Sequence, residues 1–208
     1  MKKLFNLFGL VLLAAMLITG CKKEAAWEED VTEDTTEVVL SNGTWEYTSS
    51  LTVEGDYKKI YLDDMEPEEV AALPPAYRDL TGRAAVTWKD INTLKIDGDN
   101  VTLKGGKEIY AIKFPDGADK TILENTVKAQ KESLPAGQDV SLSGTTITFT
   151  TTYSEADLAN ISVSKENILA KFSGQTVKTN KKHTKYMLTA SIEQNGSKLS
   201  TKVTLSKK

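Results

Sequence analysis

The 208-residue sequence contains a single cysteine, Cys21, and a single histidine, His183. One cysteine cannot form a disulfide within the chain, and a zinc site needs three or four cysteine, histidine or carboxylate ligands. The sequence also lacks a glycine-rich phosphate loop and the basic-aromatic pattern of nucleic-acid binding. We therefore expect no disulfide or thiol chemistry in the folded part, no metal or cofactor, and no nucleic-acid partner.

Neither sign of charge is in large excess, because the sequence contains 26 Lys and Arg residues and 29 Asp and Glu residues. This balance also argues against binding to nucleic acid. His183 stands among the lysines of 181–185, and no nucleophile motif accompanies it. We predict that the chain has no catalytic residues and is not an enzyme.

No apolar run reaches the length of about 20 residues that a membrane-spanning helix needs. The longest, Leu4–Ile18, is apolar apart from Asn6 and follows the basic pair Lys2 and Lys3. A short basic region, an apolar region and an exit of small residues are typical of a secretory signal peptide. We assign residues 1–20 to such a peptide.

The cleavage region at the end of this segment is Leu17-Ile18-Thr19-Gly20-Cys21. This stretch resembles the lipobox of bacterial lipoproteins, including those of Bacteroidetes type. The resemblance implies a diacylglycerol on the Cys21 thiol, cleavage before Cys21 and a further acyl chain, such as palmitate, on the new amine. Two or more acyl chains hold a protein stably at a membrane. The expected location is the bacterial outer membrane, with the domain on the periplasmic face or the cell surface.

Residues 21–37 follow the lipidated cysteine, and seven acidic residues lie between Glu24 and Glu37 with no basic residue among them. Such high charge and low hydrophobicity predict a flexible tether between anchor and domain. Charged residues so close to the cysteine also resemble the surface-export signals of some Bacteroidetes lipoproteins.

Residues 38–208 are long enough for one domain with a substantial core. Alternation of apolar and polar residues dominates them, which is typical of strands with one buried face. We predict the clearest strands at 43–53, 145–153, 186–192 and 199–205. We predict further strands at 58–62, 107–114 and 168–172.

Two short motifs predict hairpin turns between strands. Asn195-Gly196 is the stronger signal, because both turn positions need a positive φ. Asp97-Gly98-Asp99 separates two alternating segments in the same way and is interpreted as a turn rather than a calcium loop.

Helical signals interrupt the alternation in two places. Residues 66–73 predict a short helix, with Pro67 in its first turn and acidic residues at its positive end. Ser154-Glu155-Ala156-Asp157 is similar to a capping box that opens one helical turn. Residues 118–138 fit neither period, and a long hairpin or a loop is left open there.

Nine or ten antiparallel strands joined by hairpins predict an all-β antiparallel meander. It closes either as a barrel or as a two-layer β-sandwich. Gly43-Thr44-Trp45 resembles the Gly-x-Trp motif at the start of the first lipocalin strand, and Thr184-Lys185-Tyr186 resembles a later lipocalin motif. The resemblance implies a lipocalin-like barrel and favours this alternative.

The aromatic residues are the candidate ligand-binding residues, because small barrels hold one apolar ligand among such side chains. The candidates are Trp45, Tyr47, Tyr61, Trp88, Phe149 and Tyr153. We predict a monomeric, membrane-anchored protein that binds a small apolar or amphipathic ligand. The alternative is a non-catalytic envelope or surface interaction module that binds a protein or glycan. A connected apolar cavity near Trp45 or Trp88 would favour the first function, and a filled interior would favour the second.

Overall fold

A computed structural model describes residues 31–63 and 65–208. The predicted signal peptide, Cys21 and the first part of the predicted tether lie outside these ranges. Within the described ranges, no helix combines the length and apolar character needed to cross a bilayer.

In the described part of the chain, nine strands pair in one sheet, and every pairing is antiparallel. The strands are β1 (Glu33–Thr35), β2 (Gly43–Asp56), β3 (Arg83–Asp97), β4 (Asn100–Lys113), β5 (Gln138–Ser143), β6 (Thr146–Tyr153), β7 (Val177–Thr179), β8 (Lys185–Gln194) and β9 (Ser197–Lys207). Their spatial order is β1-β7-β8-β9-β2-β3-β4-β6-β5. The predicted all-β antiparallel class is confirmed.

The sheet is open, in contrast to the predicted lipocalin-like barrel and the alternative two-layer sandwich. Its edges are β1, with three residues, and β5, with six, and the described strands include no pairing between them. A barrel would bury its inner face against its own opposite wall. Here helices and loops cover the two ends of one face, which removes the need for closure.

The helices are α1 (Pro67–Ala72), α2 (Pro75–Arg78), α3 (Lys120–Lys131) and α4 (Lys165–Ala170). Helix α1 confirms the predicted helix, with reciprocal capping between Glu66 and Glu69. Helix α3 replaces the hairpin or loop left open over 118–138. Its first turn is capped by Asp119, whose carboxylate accepts from the amides of Thr121 and Ile122.

Two predicted strands are wrong. Lys58–Leu62 is a π-helical turn, because the chain bends inward at the buried Tyr57, whose amide donates to the Gly82 carbonyl at 2.8 Å. The segment 168–172 lies in and after α4. Ile168 and Phe172 are both buried and stand four positions apart, which is helical spacing.

The register places most of the apolar residues of the long strands on one face of the sheet, and Ile91, Ile109 and the buried Met187 lie on the other. Trp45 lies opposite Leu94, which lies opposite Leu103 across a bulge, and Val86 lies opposite Ile112. Paired residues share a face because side chains alternate with a period of two. The apolar face is therefore continuous from β8 to β5.

Two buried clusters occupy the two ends of this face. The Trp45 cluster contains Leu40, Trp45, Tyr47, Leu94, Ile96, Leu103, Leu158, Val163, Ile168, Phe172, Val177, Tyr186, Val203 and Leu205. The Phe114 cluster contains Tyr57, Leu62, Ala84, Ile112, Phe114, Ala118, Leu123, Val127, Val140 and Ile147. Helix α4 and the segment 36–41 contribute to the first cluster, and α3 contributes to the second.

Both predicted hairpins are present. Asn195 and Gly196 have φ values of 53° and 79° between β8 and β9, and Gly98 has a φ of 61° between β3 and β4. The folded part also begins earlier than residue 38. Val31 is buried, and Glu33–Thr35, within the predicted tether, pairs with β7 as strand β1.

Candidate functional site

Between the two clusters, two rows of side chains cross the middle of the apolar face. The polar row contains Ser49, Asp90, Glu108 and Thr151, one from each of β2, β3, β4 and β6. The row beside it contains Leu51 and three aromatic residues, Trp88, Tyr110 and Phe149, from the same strands, and we call it the aromatic row. We call these eight residues the central band. Apart from the buried Ser49 they are partly exposed, whereas the clusters on both sides are buried.

The polar row places two carboxyl groups side by side, since Asp90 pairs with Glu108 across β3 and β4. The Tyr153 hydroxyl donates to Glu108 Oε2 at 2.9 Å. Neither carboxyl group has an ion-pair partner among the described residues. Like charges directly opposite each other destabilise a sheet, so this arrangement is costly to the fold.

The electrostatics follow from that arrangement. Burial and the neighbouring Glu108 together raise the pKa of Asp90 to about 6, and a hydrogen bond with Ser49 partly opposes these two effects. Burial and the bond to Glu108 raise the pKa of Tyr153 to about 12. Two adjacent carboxyl groups can accept hydrogen bonds or attract a cation, and Asp90, with its raised pKa, can exchange a proton with a bound molecule.

The aromatic row is a run of neighbouring rings on three adjacent strands. The ring centroids of Trp88 and Tyr110 are 5.6 Å apart, and those of Tyr110 and Phe149 are 6.2 Å apart. Both distances are within the range of favourable aromatic pairs. The row presents a partly exposed apolar surface next to the two carboxyl groups.

The six predicted ligand-binding residues divide between this band and the core. Trp88 and Phe149 belong to the central band, and Tyr153 contacts it through Glu108. Trp45 and Tyr47 are buried in the Trp45 cluster, and Tyr61 packs against the Phe114 cluster. The structure therefore does not bring the six together around one cavity.

Asp90, Glu108 and Tyr110 were not predicted as site residues, although the sequence contains a signal for them. Asp90 stands in the apolar phase of β3, two positions after Trp88 and four before Leu94. Glu108 likewise stands two positions before Tyr110. A charged residue in the apolar phase of a strand is expected to face the core side, where it is rarely found without a role.

Two cavities lie at the end of the sheet that carries the Trp45 cluster. One is an open groove of about 780 Å³ between the segment 36–38, the β3–β4 turn and α4. The other is a crevice of about 10 Å³ beside Tyr47 and Asn92, which is about the space of one water molecule. Of the six predicted residues, Tyr47 lines the crevice, and none lines the groove.

Other residues considered from the sequence lie elsewhere. His183 is in the turn before β8, with its ring centroid 6.4 Å from that of Tyr186. Glu66 and Glu69 cap α1, as expected for an acidic helix start. Among residues 31–63 and 65–208, no group of three or more His, Cys, Asp or Glu side chains is placed to hold a metal ion.

No protein family, no curated protein sequence and no solved structure matches this chain. The site has to be interpreted from its own chemistry.

Proposed function

We propose that this protein binds a small amphipathic ligand on the central band, without catalysis. The apolar part of the ligand lies over Trp88, Tyr110 and Phe149, and its polar part donates hydrogen bonds to Asp90 and Glu108. The mode of binding is lipocalin-like in that the ligand occupies the inner, apolar face of an antiparallel meander. The open sheet then offers a partly exposed surface in place of a barrel interior.

The observation that carries the proposal is the pair Asp90 and Glu108, which has no ion-pair partner among the described residues and lies on a mostly apolar face. Burial and mutual repulsion make the pair unfavourable to the fold. Hydrophobic residues at these positions would join the two clusters into one core. Polar groups that converge beside a partly exposed aromatic surface are typical of ligand sites, and so are titratable groups with shifted pKa values.

We further propose that the domain is held at a bacterial outer membrane by lipid on Cys21, on the periplasmic face or the cell surface. The support is the sequence Leu17–Cys21 together with the preceding basic and apolar segments. Strand β1 begins at Glu33, so that 11 residues, numbers 22–32, lie between the cysteine and the sheet.

A second candidate function is a non-catalytic envelope or surface module that binds a glycan or protein partner. The openness of the sheet supports it, because a ligand larger than a barrel interior can reach the central band. A row of aromatic rings beside hydrogen-bond acceptors also fits the C–H faces and hydroxyl groups of a glycan.

The binding proposal is tested by calorimetric titration with three compounds that share an octyl chain. These are octyl glucoside, octylammonium and octanoate, each kept below its micelle concentration. We expect the neutral and cationic compounds to bind and octanoate to bind at least tenfold more weakly, because Asp90 and Glu108 repel its carboxylate. Maltohexaose is titrated in parallel, and tight binding of this sugar with no binding of octyl compounds supports the glycan module.

Matched variants locate the site. Trp88→Ala is expected to weaken binding of every octyl compound, and Asp90→Asn with Glu108→Gln is expected to remove the discrimination against octanoate. Lys89→Ala is the control, because Lys89 lies between Trp88 and Asp90 in sequence but on the opposite face. Equal effects of Lys89→Ala and Trp88→Ala would contradict the proposal.

The anchor is tested separately by Cys21→Ser in cells supplied with labelled palmitate. The wild type is expected to carry label and to stay with membranes after salt and carbonate washes. The variant is expected to be unlabelled and to leave the membrane fraction. A variant that remains in the washed pellet would disprove lipid anchoring at Cys21.

A further inference from the structure

The open groove of about 780 Å³ is separate from the central band and is built by three distant parts of the chain. These are residues 36–38, which follow β1, Asp99 in the β3–β4 turn, and 164–173 around α4. An isolated backbone bridge between Asn100 and Ser164 holds the second and third parts together. Two of the three parts of the groove are therefore joined directly through the backbone.

The floor of the groove is apolar. Val38, Leu169, Ala170 and Phe172 all line it, and Phe172 is buried in the Trp45 cluster beneath. Val39, a large apolar side chain with 51% exposure, directly follows the lining residue Val38. An apolar surface of this kind on a protein commonly marks a contact with a partner.

The rim of the groove is acidic. Glu37, Asp99 and Glu166 line it together with one cation, Lys165. The Lys165 ammonium donates to the Gly98 carbonyl at 3.3 Å, so part of its hydrogen-bonding capacity is directed into the β3–β4 turn. Excess negative charge around an apolar floor is complementary to a partner that carries both cationic and apolar groups.

The groove also starts where one edge of the sheet formed by the described strands ends. Strand β1 pairs on one side with β7 and is the edge of the nine-stranded sheet. The outward backbone amides and carbonyls of an edge strand are available to an extended polypeptide. A groove that is open along its length beside such an edge suits an extended chain better than an enclosed small molecule.

We propose that this groove, with the adjoining edge of β1, docks an extended segment of a partner protein that is rich in lysine and apolar residues. Lysines of the segment face Glu37, Asp99 and Glu166, and its apolar side chains contact Leu169 and Ala170.

The test uses fluorescence anisotropy with two dye-labelled nonapeptides, one alternating lysine with leucine and the other alternating glutamate with leucine. The full chain without its lipid is expected to bind the lysine peptide at least tenfold more tightly, and added salt is expected to weaken this binding. No binding of the lysine peptide, or equal binding of both peptides, would overturn the proposal.

Three variants place the binding in the groove. Ala170→Trp fills the groove at an exposed position and is expected to weaken binding at least tenfold. Asp99→Asn with Glu166→Gln is expected to weaken it about fivefold and to reduce its dependence on salt. Glu124→Gln, an exposed carboxylate on α3, is the matched control and is expected to change nothing.

Circular dichroism and thermal melting establish that each variant is folded. If folded Ala170→Trp and the charge variant both bind as the wild type does, the peptide binds elsewhere and the proposal is wrong. Asp90→Asn with Glu108→Gln is expected to leave peptide binding unchanged, which separates this site from the central band.

Discussion

Trp45 and Trp88 occupy the same face of the same sheet, on adjacent strands, and their surroundings differ. Trp45 is fully buried, donates its indole N–H to the Ser41 carbonyl at 2.8 Å and stacks with Tyr186. Trp88 is partly exposed and packs against Tyr110 beside two carboxyl groups. The first position is built for stability, and the second leaves an aromatic surface accessible where a filled core would have been more stable.

The largest expected effect separates these two tryptophans directly. Trp45→Ala should lower the free energy of unfolding by about 3–5 kcal/mol, because it leaves a cavity in a filled cluster and removes a buried hydrogen bond. Trp88→Ala should lower it by only about 1–2 kcal/mol, because part of that side chain is already in water. Urea unfolding of both variants measures the difference. Similar losses would show that the central band is as much a part of the core as the Trp45 cluster.

The next effect concerns the charge of the central band. The folded-state pKa of Asp90 is raised to about 6, so between about pH 4 and pH 6 the folded protein binds more protons than the unfolded one. Stability contributed by this group therefore falls as the pH rises through that range. Asp90→Asn should raise the free energy of unfolding at pH 7.5 by about 1–2 kcal/mol, after allowance for solvent screening.

Urea unfolding at several pH values between 4 and 8 checks this prediction. The variant should lose the fall in stability between pH 4 and pH 6 that Asp90 causes in the wild type. Asp97→Asn is the control, as an exposed carboxylate on the same strand. A less stable Asp90→Asn variant at pH 7.5 would mean that the carboxylate stabilises the fold and would weaken the argument for a ligand site.

The smallest expected effects compare the helices that cover the two ends of the apolar face. Asp119 caps α3 over the Phe114 cluster, and the Ser164 hydroxyl accepts from the Asn167 amide at the start of α4. Asp119→Ala and Ser164→Ala should each lower the free energy of unfolding by about 1 kcal/mol. Hydrogen exchange should show faster opening only at the end of the sheet that carries the altered helix. Faster exchange at both ends would mean that the two clusters open together.

The long strands were predictable because one face of the sheet is buried and the other is solvated. Apolar and polar residues therefore alternate with a period of two in Gly43–Val53 and in β8 and β9. The turn at Asn195-Gly196 was predictable because few residue pairs adopt a positive φ at both positions. The openness of the sheet was not predictable, because alternation shows which residues of a strand face the core but not which strand lies next to it.

The errors have local causes. Lys58–Leu62 contains alternating apolar and polar residues, which predicted a strand. The segment follows the buried bend at Tyr57 and forms a π-helical turn instead of pairing with the sheet. Leu123 and Val127 are buried four positions apart after the capping Asp119, a helix signal that sparse apolar content obscured. The central band was predictable only in part, since Trp88 and Phe149 were identified, whereas Tyr110 and the two carboxyl groups were not.

Strand β9 has a consequence for the order of events in folding. It lies between β8 and β2 in the interior of the sheet, and Ser50 donates to the Lys202 carbonyl across 152 positions of sequence. The two halves of the sheet can join only after Ser197–Lys207 has arrived, and pairings between such distant segments form slowly. Until that segment is in place, β8 and β2 both lack the neighbour that they share, so the two halves of the sheet remain separate.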